Sequence, residues 1–247
     1  MNDGYLGANG AYSHVVKATY VGKKFAEYSN EMVAAKVLRS DSIDTGALGR
    51  FMDTLLTVSN KSLVRVLGAQ STPPPSTVVM EIMQTSLQKY LKDKGALRLA
   101  HVKIVAKGVA AGISYLHSLA PPRPHGGLSS KNVFLNNMSQ RNPRKWEIKL
   151  GDYFLTELTP RGSVSAERYA APELKENNTP TLESDIYSFG ILLIEMYTNT
   201  IPEDFSSREV LTDIDSEELV QLIRNCTAKS VAKRPSISEV ITKLEEL

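Results

Sequence analysis

Three short stretches hold the residues best suited to chemistry. Val33-Ala34-Ala35-Lys36 ends on a lysine. His125-Gly126-Gly127-Leu128-Ser129-Ser130-Lys131-Asn132-Val133 combines a histidine, two serines, a lysine and an asparagine. Lys149-Leu150-Gly151-Asp152-Tyr153-Phe154 carries an aspartate. Taken singly, each has an ordinary explanation. Lys36 reads as a surface lysine beside a strand, and Gly126-Gly127 as a loop after a helix. Ser163 and Ser165 offer hydroxyls for phosphorylation, but flexible polar loops usually contain serine. Cys226 is the only cysteine, so no internal disulfide is open to the chain, and a reducing, cytoplasmic setting is expected.

The elements that must position these residues change character along the chain. In the first third, Val15 to Tyr20, Met32 to Leu38, Leu63 to Ala69 and Thr77 to Met83 are β-branched or apolar runs between polar turns, as strands are. Pro73, Pro74 and Pro75 separate the last pair, as a hairpin connection does. Between them, Leu48, Phe51, Met52, Leu55 and Leu56 fall at helical spacing within Asp44 to Ser59. After Met83 the pattern turns helical. Val102, Val105, Val109, Ile113 and Leu116 form one buried stripe, ended by Pro121, Pro122 and Pro124. Asn132 to Leu135 and Trp146 to Leu150 read as short strands around a basic polar loop. Ser184 to Tyr197 is apolar nearly all round and belongs deep in the core. Ser216 to Cys226 is another helix, and Ser236 with Glu239 makes a capping box for a last one.

An α+β fold of two lobes is therefore expected: a mainly β lobe over residues 1–83, with a five-stranded sheet and one helix, and a mainly α lobe over 84–247. The length of 247 residues suffices for two lobes sharing a cleft. A formal net charge of +2 gives no reason to expect nucleic acid or an anionic membrane surface as a partner. The longest apolar run, Phe189 to Tyr197, is too short to span a bilayer, and no targeting segment is visible at the N-terminus.

The stretches stand in the order and rough spacing of the protein-kinase motifs, and the resemblance covers essentially the whole chain. Val33 to Lys36 resembles V-A-I-K, His125 to Asn132 the catalytic loop, Lys149 to Phe154 the approach to D-F-G, and Ala171-Pro172-Glu173 is an intact A-P-E. The resemblance implies ATP and Mg²⁺ as ligands. Lys36 would reach the α- and β-phosphates, Asn132 and Asp152 would supply oxygens to Mg²⁺, and Gly10 would be the surviving glycine of the phosphate loop. Val15, Ala34 and Phe134 would sandwich adenine, Met80 would gate the back of its pocket, and the backbone of Glu81 and Met83 would bind its edge. Asp185 would brace the catalytic loop, Arg234 would pair with Glu173, and Leu55, Val66, His125 and Tyr153 would stack between the lobes. Ser129-Ser130-Lys131-Asn132 and Leu67-Gly68-Ala69 look most like the tyrosine-kinase-like and receptor-like serine/threonine group.

The departures matter as much. Gly127 stands at the catalytic aspartate, Gly126 at the arginine before it, and Ser129 at the catalytic-loop lysine. Ala166 stands where a serine/threonine kinase places a threonine that touches that pair. Ala8 and Ser13 replace the outer glycines of the phosphate loop, Phe51 the helix glutamate, with Asp53 the nearest acid, and Phe154 the last glycine of D-F-G. A positioned base is worth ~10² to 10⁴ in rate, and glycine has no side chain for the task. The expected function is a pseudokinase: a scaffolding or allosteric signalling module that binds other signalling proteins, such as an active kinase or a receptor. The alternative is a weak or atypical serine/threonine kinase that relies on positioning and Mg²⁺ electrostatics alone.

Overall fold

Runs of valine and alanine make the first third a sheet, with Val33 to Lys36 all buried. The computed structural model describes residues 13–22, 24–38, 49, 54–70, 76–138, 145–153, 167–177, 179–201, 211–212 and 214–247. Strands β1 (Ser13–Thr19), β2 (Met32–Leu38), β3 (Val66–Gln70) and β4 (Thr77–Glu81) form a four-stranded antiparallel sheet in the order β1-β2-β4-β3. The fifth expected strand is not among the described residues. Gly10, Phe51, Asp53, Phe154, Ser163, Ser165 and Ala166 also lie outside them.

Register decides which side chains meet. Val15 and Val78 stand opposite Lys36, and Met80 stands opposite both Ala34 and Val66. Side chains alternate across a strand, so these six residues share one sheet face. On the opposite face, Phe25, Val33 and Leu67 form a small cluster of their own. Of the expected helix over Asp44 to Ser59, residues 49 and 54–57 are described and helical, with Leu55 buried.

The helical half begins with two elements that periodicity did not suggest, β5 (Thr85–Ser86) and α1 (Leu87–Lys94). Ser86 caps α1 by accepting the Lys89 N–H, and Gly95 ends it at φ +82°, where a Cβ would be strained. Helix α2 (Leu99–His117) buries the expected stripe. By length and composition it could cross a membrane, yet it is a core helix, lying against Glu147–Leu150, Leu182–Thr198 and Ile237–Glu246. Gly108 and Gly112 allow that closeness. A Cβ on them would stand 2.5 Å from the Ile148 Cβ and 2.8 Å from the Leu150 Cδ1.

Strands β6 (Val133–Asn136) and β7 (Glu147–Leu150) complete a second sheet in the order β5-β6-β7. The Val64 N–H donates to the Leu150 carbonyl and the Leu150 N–H to the Ser62 carbonyl, both at 2.8 Å, which stitches this sheet to the segment entering β3. A short α3 (Leu174–Asn177) precedes α4 (Leu182–Thr198), the most deeply buried helix. Thr181 and Ser184 make its capping box, and Asn199 in the left-handed region ends it. Helix α5 (Glu217–Cys226) packs against α4 and α6 (Ile237–Glu246) against α2, each capped by the serine before it. Cys226 is fully buried against α4, and burial pushes its thiol up to about 12.

Candidate functional site

The two halves meet at an ion pair. Lys36 lies near the middle of β2, and Asp152 lies two residues past the end of β7. Lys36 Nζ donates to Asp152 Oδ2 at 2.5 Å, with 10% and 19% of the two side chains exposed. Asp152 has φ +60°. The other non-glycine residues in that region among those described are Asn30, Asn137 and Asn199, the residue type that best tolerates it. An aspartate held there beside a cleft marks a functional position. Its neighbours are anchored on both sides. The Gly151 N–H donates to the Asn132 carbonyl at 2.9 Å, and the Tyr153 hydroxyl donates to the Val64 carbonyl at 2.9 Å. A phenylalanine in place of Tyr153 has no donor for that bond.

The loop from His125 to Asn132 is organised from beneath. Asp185, on the first turn of α4, accepts the His125 N–H at 2.7 Å, the Gly126 N–H at 3.0 Å and His117 Nε2 at 2.9 Å. Gly126, at φ +75°, supplies the bend that brings both amides to one carboxylate. The buried His125 ring accepts the Gly127 N–H at Nδ1 (3.2 Å), which leaves Nε2–H to donate to the Gly151 carbonyl (3.0 Å). Burial holds this imidazole below its ordinary 6.5, consistent with a neutral ring. Asn132 Nδ2 donates to the Gly127 carbonyl at 2.7 Å. Asn132 is thus tied by its amide to Gly127 and by its carbonyl to the residue before Asp152.

A second buried network was not foreseen. Glu195 of α4 accepts Ser130 Oγ at 2.8 Å and the Tyr169 hydroxyl at 2.6 Å, joining the loop to the segment before Ala171-Pro172-Glu173. Burial raises the Glu195 carboxyl above its usual range and the Tyr169 phenol above its own. One signal could have found it: Glu195 is the one acid within the apolar run Phe189 to Tyr197.

Among the described residues, three acids contact this loop or follow the residue bonded to it, and each is committed. Asp152 holds Lys36, Asp185 holds the loop amides and His117, and Glu195 holds two hydroxyls. Gly127 presents no side chain there, and Ser129 is buried.

Above the loop lies an apolar recess. Lys36, Leu55, Val64, Val66, Val78, Met80, Asp152 and Tyr153 enclose about 20 Å³ behind Met80. That places Leu55, Val66 and Tyr153 together as the resemblance implies, with His125 fully buried below. In front, Val15, Ala34 and Met80 share the sheet face. Phe134 lies against Gly151, where a Cβ would come within 2.7 Å of the Phe134 ring. The Glu81 side chain is turned elsewhere. It accepts Lys149 Nζ at 2.8 Å on both oxygens and the Arg65 N–H at 2.7 Å, which fixes the end of β4. Asn136 Nδ2 donates to Met83 Sδ at 3.5 Å, tying the connection between the halves to the end of β6.

The residues expected around adenine supply apolar surface, Val15 and Ala34 on the sheet face and Phe134 on β6. A divalent cation fits less well. The expected donors are Asn132 and Asp152, but Asp152 already holds an ammonium. Among the described residues no group of three or more His, Cys, Asp or Glu could hold a metal.

Away from the cleft, Arg234 and Glu173 form the expected pair, bidentate at 2.6 and 2.7 Å, with Arg234 also donating to the Ala228 and Glu183 carbonyls. Hydrogen bonding to Arg234 holds the Glu173 carboxyl below the usual range.

A sheet face and a helical half closing on a lysine–aspartate pair, over a loop braced by a buried aspartate, define a protein-kinase-like domain. The family model described as protein tyrosine and serine/threonine kinase matches residues 4–244, and the chain belongs to that family. It is 26% identical over 267 residues to the serine/threonine-protein kinase STY46 of Arabidopsis thaliana, covering 99% of this chain and 44% of that protein. It is 27% identical over 178 residues to a protein of the same plant named "Probable inactive receptor kinase RLK902", covering 58% of this chain and 26% of that protein. The chain therefore spans less than half the length of either relative. The crystal structure of Rad53 in complex with AMP-PNP superposes with a TM-score of 0.76 at 20% identity, over 97% of this chain and 62% of that one, which shows the fold.

Proposed function

We propose that this protein is a pseudokinase: a kinase-shaped module that holds an adenine nucleotide in its cleft, transfers no phosphoryl group at ordinary speed, and acts by binding other signalling proteins in the cytoplasm. Gly127 carries the reading. The position that must accept a hydroxyl proton has no side chain, and the acids around it are committed to other partners. Restoring catalysis would need one of those acids to abandon a buried network, at a cost on the order of 1–3 kcal/mol for each group left unsatisfied. Nucleotide binding is supported by the shared face of Val15, Ala34, Lys36 and Met80, by Phe134, and by the likeness to a structure solved with AMP-PNP.

The retained Lys36, Asn132 and Asp152 favour a second reading, slow transfer by positioning alone. One preparation tests both, with labelled ATP, a generic protein acceptor, and the Asp152→Ala variant as control. Binding without Asp152-dependent incorporation is the expected result. Incorporation at ordinary kinase rates, abolished in Asp152→Ala, would overturn the pseudokinase reading.

A further inference from the structure

We propose that Asp152 serves in this protein as the standing counter-ion of Lys36, so that the cleft takes an adenine nucleoside or nucleotide without a divalent cation. The proposal rests on the nucleotide pocket described above and goes further by assigning the charge of the ligand it accepts.

Three observations point the same way. The contact is short and shielded: 2.5 Å, with little of either side chain exposed. It is built from both ends. Lys36 sits inside the β2 ladder between Val15 and Val78, while Asp152 is fixed by the anchored Gly151 and Tyr153 on either side of it. No rival acid approaches Lys36 from the described turn of the helix that lines the recess, where residues 54–57 are Thr, Leu, Leu and Thr.

The charges then decide the ligand. The formal charges of Lys36 and Asp152 cancel, so the cleft offers no net cation to a polyphosphate. A dication entering beside Asp152 meets an ammonium within a few ångströms, and the repulsion is strong in a site so little exposed. What remains is recognition of the ring by Val15, Ala34, Met80 and Phe134. Asp152 is therefore a positioning residue. Removing its charge sets Lys36 free for phosphate instead of destroying the site.

Calorimetric titration of the whole chain with adenosine and with ATP, each in excess EDTA and in Mg²⁺, tests this. In the wild type, both ligands bind, and Mg²⁺ changes ATP affinity by less than about threefold, well under the tenfold that 1.4 kcal/mol represents. In Asp152→Asn, ATP binds more tightly than in the wild type in EDTA, while adenosine is unchanged. A titration of the wild type with Mn²⁺ alone, followed by electron paramagnetic resonance, gives no saturable site. That last measurement holds even if the variant fails to fold. ATP binding that requires Mg²⁺, loss of ATP binding in Asp152→Asn, or a saturable Mn²⁺ site abolished by that substitution would each overturn the proposal while leaving the nucleotide pocket standing. Binding of neither adenosine nor ATP under any condition would remove the pocket and the proposal together.

Discussion

Tyr153 illustrates how one atom can fix a segment. Its hydroxyl reaches the Val64 carbonyl across 89 residues of sequence, and burial raises its phenol, which keeps the donor protonated. Tyr153→Phe keeps the ring and deletes the donor, leaving a buried carbonyl short of a partner. Such a loss costs about 1–3 kcal/mol. The expected outcome is a melting temperature lower by several degrees, with nucleotide affinity shifted less than stability. An unchanged melting temperature would mean that water satisfies Val64. The sequence named Tyr153 as a stacking residue but could not show this bond, because its partner is a main-chain carbonyl, which every residue has. The Lys36–Asp152 contact was hidden for a related reason. Both residues were legible as site residues, but their pairing depends on how two lobes close across 116 positions. Glu195 was visible as an anomaly, yet its partners Ser130 and Tyr169 come from two other segments.

Among the elements, α2 shows two local rules in conflict. Helix propensity favours replacing Gly108 by alanine by about 1 kcal/mol. Packing opposes it, because the new Cβ would stand 2.5 Å from the Ile148 Cβ, in a region where overfilling costs about 1–3 kcal/mol. Ile148 is β-branched and sits in a paired strand, so it has little room to yield. Packing should win. Gly108→Ala should lower the denaturation midpoint in urea, and a gain in stability would mean that α2 shifts away from β7. Long elements with strong periodicity were the legible ones: α2, α4 and the boxed start of α6 lie where the sequence placed them. Elements β5 and α1 escaped notice because one has two residues and the other buries only Leu87 and Leu91. The capping box of α4 uses Ser184 in place of an acid, so the usual signature is missing there.

For the whole molecule, stability depends on pH through groups that the fold keeps from their ordinary charge. His125 has a folded value below 6.5, so the unfolded chain binds more protons between the two values. Its contribution is complete above 6.5 and is lost as pH falls toward the folded value. Glu173, held down by Arg234, acts in the same direction at lower pH: full above 4.5, lost on further acidification. Glu195 runs the other way, favouring the fold most below 4.5 and progressively less as pH rises through its raised value. Denaturant melts of the wild type should therefore show stability falling on acidification below 6.5. In His125→Asn that slope should flatten even though overall stability is lower. An equal slope in both proteins would place the titrating group elsewhere.

The burial of Cys226 has its own consequence for the chain as a whole. The only thiol in the sequence is sealed between the central helix and its neighbour, and its proton is held too tightly for the thiolate to form at neutral pH. Alkylating reagents and oxidants therefore meet an inert surface until the helical lobe opens. Evolution has left this protein with a single built-in clock, silent while the molecule is intact, whose first tick marks the breathing of its interior.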